Sequence, residues 1–476
     1  MPIMSSRFSL FTVLTLAIYY LLPRRFQNVW LLLVSYVFIG TWSWKFVLVL
    51  GLVTIFNFLL AQKLNVIAEK RQGLLWAGIG FNVFILMLFR VANFFLPELE
   101  AWLVQLGIST QAGGLQILVP LGLSYYVLQV ISYLVDVYRG QFKAEIDFLD
   151  FALYLAYFPK MIAGPIERAR SFLPKLAAPR LVDKRVIANS TLLIFIGMVR
   201  KLLIADILAA TILSDVFEIP AKYTAPELMI WLLIYAFSLY NDFAGYTDIV
   251  RGISGLFGIE LSPNFRTPYF SRSFSEFWQR WHISLSEWLR DYIYFPLSRV
   301  LSRRNPSQHD LAKLVLPPMV TMLVSGLWHG FGLHMLLWGG LHGLYQIVER
   351  ILRERSSVVS PQNQPIWRQG FSMVIVFTFV ILAWVPFRWE LPIAFDFWRA
   401  LLNWSSVAIR YRRLFFVLPF LVSSLVIDLL QYRSQDEFVF LKWPRLAQAV
   451  CMAFILLLIF MTTGGDFEQP FVYQAF

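Results

Sequence analysis

What most constrains this chain is a series of about a dozen apolar runs joined by short loops. They cover residues 8–22, 29–42, 46–61, 74–95, 117–137, 186–213, 228–250, 314–328, 333–348, 371–387, 414–430 and 446–461. An α-helix crossing ~30 Å of hydrocarbon needs roughly 20 mostly apolar residues. The pattern predicts an all-α polytopic membrane protein with roughly 11–13 transmembrane helices. Only 15% of the residues are charged, against about a quarter in soluble domains, so one large soluble core is ruled out. The net charge of +12 raises the question of a nucleic-acid partner. The Lys and Arg residues, however, sit in short loops, as membrane topology demands, and no nucleic acid is expected. Cys451, the one cysteine, lies in an apolar run and excludes a disulfide framework or a Cys-ligated zinc. Residues 8–22 lead into Arg24 and Arg25 without a small-residue cleavage site, so they read as the first span.

Loop charge sets the orientation. Residues 62–73, 136–146, 166–185, 252–313 and 349–368 are basic and should be cytoplasmic, which makes the bilayer itself a partner. Residues 97–114 carry no Lys or Arg, and the tail 464–476 is acidic, so both should lie outside. The apolar stretch 148–163 has basic loops on both sides; it reads as re-entrant or interfacial, with a true span as the alternative. Residues 388–413 carry five Arg yet fall outside by span counting. They form an external amphipathic helix, or a span has been miscounted. Without repeats or low-complexity linkers, residues 1–476 read as a single membrane-embedded domain.

Within the long basic connection lies FSEFWQRWHISLSEWLRDYIYF, residues 274–295. Helical spacing places Phe274, Phe277, Trp278, Trp281, Leu285, Trp288, Leu289 and Tyr292 on one face. Glu276, Arg280, Glu287, Arg290 and Asp291 fall on the other, an amphipathic helix for the cytoplasmic surface. His282 projects roughly 20° beyond Leu289 at ~100° per residue. It points into a polar cavity or sits at the interface, and geometry alone favours the interface.

Of the other histidines, His309 lies in a charged loop and reads as solvated. His329 closes an apolar run in SGLWHGFGLH among Gly326, Gly330 and Gly332, residues that let another backbone approach closely. An ionisable group at membrane depth is costly to keep, and a neutral imidazole accepts a proton near pH 7. A hydrogen bond to a neighbouring helix is the structural alternative. His329, His334 and His342, at spacings i+5 and i+8, do not share one helical face, so no metal site is expected. Asn241, Asp242, Tyr246 and Asp248 stand at the cytoplasmic end of a span, where they orient an imidazole, bind a cation or pair with Arg251. Lys160, Glu167 and Arg168 surround a break at Gly164-Pro165. There is no phosphate loop, HExxH or GxSxG motif. What remains is imidazole-assisted group transfer, or transport without chemistry.

Five stretches in order carry a family resemblance: VPLGLSYYVLQVISYLVDVYRG (119–140), FPKMIAGPIERARSF (158–172), NDFAGYTDIVRG (241–252), NFRTPYFSRSFSEFWQRWHISLSEWLRDYIYFPL (264–297) and SGLWHGFGLHMLLWGGLHG (325–343). Together they resemble the membrane-bound O-acyltransferase family, in the branch of the bacterial alginate O-acetylation proteins. The teichoic-acid D-alanyl transferases are more distant relatives. The resemblance places the motif core at about 119–343 and implies a fold with re-entrant and interfacial helices.

It further implies that His329 is the catalytic histidine, His282 its partner and Trp328 part of the motif beside it. Asn241, Asp242 and Asp248 would be supporting polar groups. Arg280, Arg290 and Lys160 are candidates for holding the donor, although Lys160 replaces an uncharged polar residue expected there. His342 matches a residue common in the branch, whereas His334 stands where another residue is expected. No permanently bound cofactor is implied. The donor would be acetyl-CoA or another cytoplasmic acyl thioester. The acetyl group would pass through an extracytoplasmic acetyltransferase partner to hydroxyls of an exported polysaccharide, with the chain a multi-pass protein of the bacterial inner membrane. The competing expectation is a proton-coupled transporter or flippase using Asp242, Asp248 and His329 as relay groups.

Overall fold

The computed structural model describes residues 1–66, 71–106, 118–180, 182–213, 215–304, 311–355, 365–404 and 411–463. Among them there are helices and no strand. Each of the twelve apolar runs lies largely on helix among the described residues, with 117–137 helical from Leu123 onward. Seven helices are long and apolar enough by themselves to cross a bilayer: Trp44–Asn65, Arg71–Ala92, Ala225–Leu256, Leu311–His329, Ile366–Arg388, Phe415–Ser434 and Arg445–Thr462. The chain is therefore a multi-pass membrane protein. The other expected spans are helices that are shorter, as at Ser6–Leu21, or more charged, as at Leu333–Arg355.

Chain contacts divide the protein into two compact units, Met1–Val186 with Ile253–Leu261, and Ile187–Gly252 with Ser262–Phe476. In the first unit, Asn57 and Asn82 on neighbouring helices exchange side-chain hydrogen bonds of 3.0 and 2.7 Å, satisfying two amides buried among apolar residues. The stretch expected to re-enter folds as the helix Phe148–Ala156, a 3₁₀ turn at Phe158–Lys160 and an irregular run through Pro165. Nine residues of helix reach only ~14 Å, too short to cross. Residues 151–169 are all buried, and protein-buried irregular backbone is the kind that membrane proteins tolerate at depth.

The second unit contains the histidines. Its part of the helix Lys184–Met198, from Ile187 onward, runs into a π-helical turn, Val199–Ala205. It lies against the helix Ala225–Leu256 with almost no side chain between them. A Cβ on Gly197 would stand 2.6 Å from the Gly245 carbonyl oxygen, and one on Gly252 2.5 Å from that of Ser190. That approach brings Arg200 and Lys201, on the π turn, to the acidic groups of the facing helix. Residues 388–413 contribute the ten-residue helix Leu391–Ala400, which buries Ala394 and Phe397 and exposes Phe395, as an amphipathic helix should. Residues 405–410 lie outside the described residues, as do His309, residues 107–117 and the tail from 464.

The segment 274–295 corrects the sequence reading. It is not one helix but two seven-residue helices, Phe274–Arg280 and Ile283–Leu289, followed by a π turn, Arg290–Tyr294. Trp281 is extended, and His282 is left-handed at φ 42° and ψ 55°. A non-glycine residue in that region costs about 1–3 kcal/mol. The compensation comes from Asn264, 18 residues upstream, which periodicity within the segment cannot reveal. Its carbonyl accepts the Ile283 N–H at 2.9 Å, and its side chain caps the second helix.

Candidate active site

The helices Leu311–His329 and Leu333–Arg355 form a hairpin whose turn is Gly330–Gly332. Glycines set its closeness: a Cβ on Gly326 would collide with the Met335 carbonyl, and one on Gly339 with the Met322 carbonyl. Backbone-to-backbone contact of this kind is how small residues join helices in membranes. Here it fixes the position of His329, the last residue of its helix.

The His329 ring is enclosed by aromatic rings at steep angles. Trp328 lies 4.8 Å away between centroids, and Trp338 and Phe387 lie at 5.2 Å. His329 keeps 5% exposure. The nearest second imidazole is His282, at 6.4 Å between centroids, with Trp328 6.0 Å from it. His282 has no exposure, so the interfacial placement favoured by helical geometry is wrong. The break at Trp281–His282 turns the ring inward, where Phe243 packs against it at 4.8 Å.

Asn264 defines the His282 tautomer. Its Oδ1 lies 3.2 Å from His282 Nδ1 and also accepts from Ser284 N and Oγ at 3.2 and 2.9 Å. An acceptor at that distance calls for a proton on Nδ1, which leaves the Nε2 lone pair free. Nε2 has no hydrogen-bond partner. Burial lowers the His282 pKa to about 3, so the ring stays neutral at physiological pH. The site therefore holds two imidazoles 6.4 Å apart between centroids and inclined at 64°, one of them neutral with its Nε2 unpartnered.

The remaining candidates divide among other surroundings. Arg200 donates to Asn241 Oδ1 at 3.0 Å and to Asp428 Oδ1 at 2.6 Å, and Asn241 donates to Ser424 at 2.8 Å. Lys201 bridges Asp242 and Asp206, both at 2.7 Å. Asp248 pairs with Arg251 at 3.2 Å, and Arg251 also holds Glu437. The expected Arg251 pairing is present, but Arg200, Lys201 and Asp428 were not candidates. Arg200 and Asp428 are 228 residues apart and Lys201 and Asp242 are 41 apart, so local sequence does not mark these pairs; Asp206 alone lies near its partner in the chain.

Arg280 is bound to Glu276 at 2.7 Å in the wall of a cavity of about 590 Å³ that Asp248, Asp436 and Glu437 also line. Arg290, 47% exposed on its side chain, lines a different cavity of about 270 Å³. Arg350 stands in the same wall, its guanidinium 2.9 Å from the Tyr294 hydroxyl. That cavity reaches Ile283, next to His282, and Thr321 and Met322, on the helix that ends at His329. Lys160 belongs to the first unit. It is 1% exposed, donates to Gln129 at 2.7 Å and lies over the rings of Tyr154 and Phe172. His334 is bonded through Nδ1 to the Pro386 carbonyl at 2.9 Å, a structural role. Asn264, Trp338 and Phe387 are the site residues that the sequence did not single out. Asn264 opens the fourth resemblance motif, and its position ahead of the histidine segment is the only sequence signal for it.

The family model for MBOAT, the membrane-bound O-acyltransferase family, matches residues 31–386. The chain belongs to that family. It is a membrane-embedded O-acyltransferase. Curated relatives include the probable alginate O-acetylase AlgI of Azotobacter vinelandii, 35% identical over 402 residues, 83% of this chain and 77% of that protein. The peptidoglycan O-acetyltransferase of Helicobacter pylori is 30% identical over 76% of this chain and 71% of its own length. The teichoic acid D-alanyltransferase of Streptococcus thermophilus is 26% identical over 56% of the chain and 68% of that protein. Asp242 and Asp248, the relay groups of the transporter expectation, stand in ion pairs.

Proposed function

We propose that this enzyme takes an acetyl group from a cytoplasmic thioester, acetyl-CoA, and passes it across the bacterial inner membrane. The acetyl group then goes through an extracytoplasmic acetyltransferase partner to hydroxyls of an exported polysaccharide. The names of the alginate and peptidoglycan relatives support a polysaccharide acceptor. The observation that carries the chemistry is the pair His282 and His329, in an aromatic enclosure that excludes most water.

In this reading, His329 is the general base. As the acceptor oxygen attacks the thioester carbonyl, His329 takes its proton, then returns it to the departing thiolate. His282, whose Nδ1 is engaged by Asn264 and whose Nε2 is unpartnered, orients the acceptor hydroxyl or relays its proton. Rings 6.4 Å apart between centroids leave room for one oxygen to contact both at ordinary ~3 Å hydrogen-bond distances. Arg290 and Arg350 in the cavity wall attract the donor's phosphates, while the cavity leads its arm towards the pair. Lys160, enclosed in the first unit, does not fit as a donor contact. Arg280, bound to Glu276 among further carboxylates, fits less well than Arg290.

The test is replacement of His329 by Ala with expression and membrane insertion verified. O-acetylation of the exported polymer should disappear. Retained O-acetyl content removes His329 from the mechanism.

A further inference from the structure

His342 is a buried ionisable group that the mechanism above leaves unused. Its ring has no exposure, and neither Nδ1 nor Nε2 has a hydrogen-bond partner. Trp278 and Trp338 each pack against it at 5.1 Å between centroids and lie 5.9 Å from one another. Both indoles likewise bury an Nε1–H without a partner. An unsatisfied buried polar group costs about 1–3 kcal/mol. A phenylalanine would fill the same aromatic box without that cost. Three touching rings that all carry unpaired nitrogen call for a ligand or a catalytic use.

Their position suggests which. Trp278 and Gln346 line the cavity of about 270 Å³ whose wall also carries Arg290 and Arg350. One helical turn before Gln346 is His342, and one turn before that is Trp338, whose ring meets His329 at 5.2 Å. The three residues form an i, i+4, i+8 stripe along one face, spanning ~12 Å from the cavity to His329.

We propose that this stripe receives the amide-bearing arm of the thioester donor, with His342 and the indole N–H groups of Trp278 and Trp338 as its hydrogen-bond partners. The proposal rests on the acyl-transfer reading above and assigns donor-positioning residues to it. An amide moved from water into an aromatic passage loses several kcal/mol unless protein groups replace its hydrogen bonds. A neutral imidazole offers one donor and one acceptor, matching the C=O and N–H of an amide, and each indole adds a donor. The arm enters when Trp278 rotates out of the cavity wall, which extends the space along the stripe. Phosphates then stay at Arg290 and Arg350 while the thioester reaches His329.

The experiment uses full-length protein in lipid nanodiscs with acetyl-CoA as the probe. Equilibrium binding is measured in the His329→Ala background, and steady-state kinetics in the active enzyme. His342→Phe and Trp278→Phe should each weaken acetyl-CoA about threefold to tenfold, the worth of one hydrogen bond. The loss should fall on Kd and KM more than on kcat, with the melting temperature of His342→Phe no lower than that of its parent. A donor analogue with one pantetheine amide replaced by methylenes should bind the parent less well than acetyl-CoA does, and bind His342→Phe equally well. Unchanged Kd and KM in both variants overturn the proposal, as does a lower melting temperature of His342→Phe with donor affinity intact. The underlying reading fails separately: turnover of acetyl-CoA by the His329→Ala protein at the parent rate removes His329 from the mechanism whatever His342 does.

Discussion

Two regions of the same unit bury polar groups by opposite rules. Around Arg200 and Lys201, every formal charge meets a counter-charge within hydrogen-bond reach: Asp428 at 2.6 Å, and Asp242 and Asp206 at 2.7 Å. Around His282 and His342, imidazoles are enclosed by aromatic rings, and ring nitrogens lack partners. In the first arrangement each buried ion has a counter-ion that offsets its desolvation, so removing either partner is costly. The second raises the free energy of the folded protein, since a buried nitrogen without a partner forfeits its water for nothing in the resting protein. Polar groups kept at a cost to stability mark where a substrate supplies the missing contacts. Polar groups already paired mark architecture.

That contrast can be broken by matched substitutions. The largest effect should come from His329→Ala, which should reduce acetyl transfer about a thousandfold or more while the melting temperature moves little, as assayed with purified enzyme and acetyl-CoA. Asp428→Asn should do the reverse. It leaves Arg200 without its closest charge partner, which costs on the order of 3 kcal/mol. The check is the folded yield and melting temperature, with the residual activity per folded molecule close to wild type. If Asp428→Asn instead keeps full stability and loses turnover, the two regions have been assigned the wrong way round.

A smaller effect is expected where the rules meet, at Asn264. Asn264→Ala removes both the cap on Ser284 and the acceptor for His282 Nδ1, so it should cost about 1 kcal/mol of stability and roughly tenfold or more in kcat. Asn264→Asp, which keeps an oxygen in place, should recover part of the kcat. The smallest effect is in pH dependence. His282 titrates near 6.5 when unfolded but only near 3 when folded. The unfolded chain therefore takes up the proton first, so its contribution to stability is complete above pH 6.5 and declines as pH falls towards 3. Thermal melting should shift down between pH 7 and pH 5, and His282→Gln should flatten that slope. An unchanged slope would mean that the buried ring is charged or hydrated.

Much of the architecture was legible because hydropathy is a local property. The apolar runs lie largely on helix, 148–163 fails to span, and Gly326 of SGLWHGFGLH makes the close backbone approach that its lack of Cβ permits. The amphipathic reading of residues 388–413 also corresponds to a helix, at Leu391–Ala400. The segment 274–295 was misread for a specific reason. Its aromatic and charged residues keep helical spacing across Trp281 and His282, so periodicity sees no interruption. The break is imposed by Asn264, whose backbone and side chain take the N–H groups of Ile283 and Ser284 that a continuous helix would use internally. The same limit hid Arg200 and Asp428, 228 residues apart in the chain but 2.6 Å apart in space.

By itself, the sequence determined that this chain lives in a bilayer, where along it the helices fall, and that an imidazole sits at the glycine-rich end of one of them. Those follow from the free energy of moving each residue out of water, a sum over near neighbours along the chain. The fold alone decided which imidazoles lie close together, which charges are neutralised and which nitrogens are left waiting for a partner. Those depend on hydrogen bonds and ion pairs a few ångströms long between residues tens or hundreds of positions apart, and no local property of the chain records such distances.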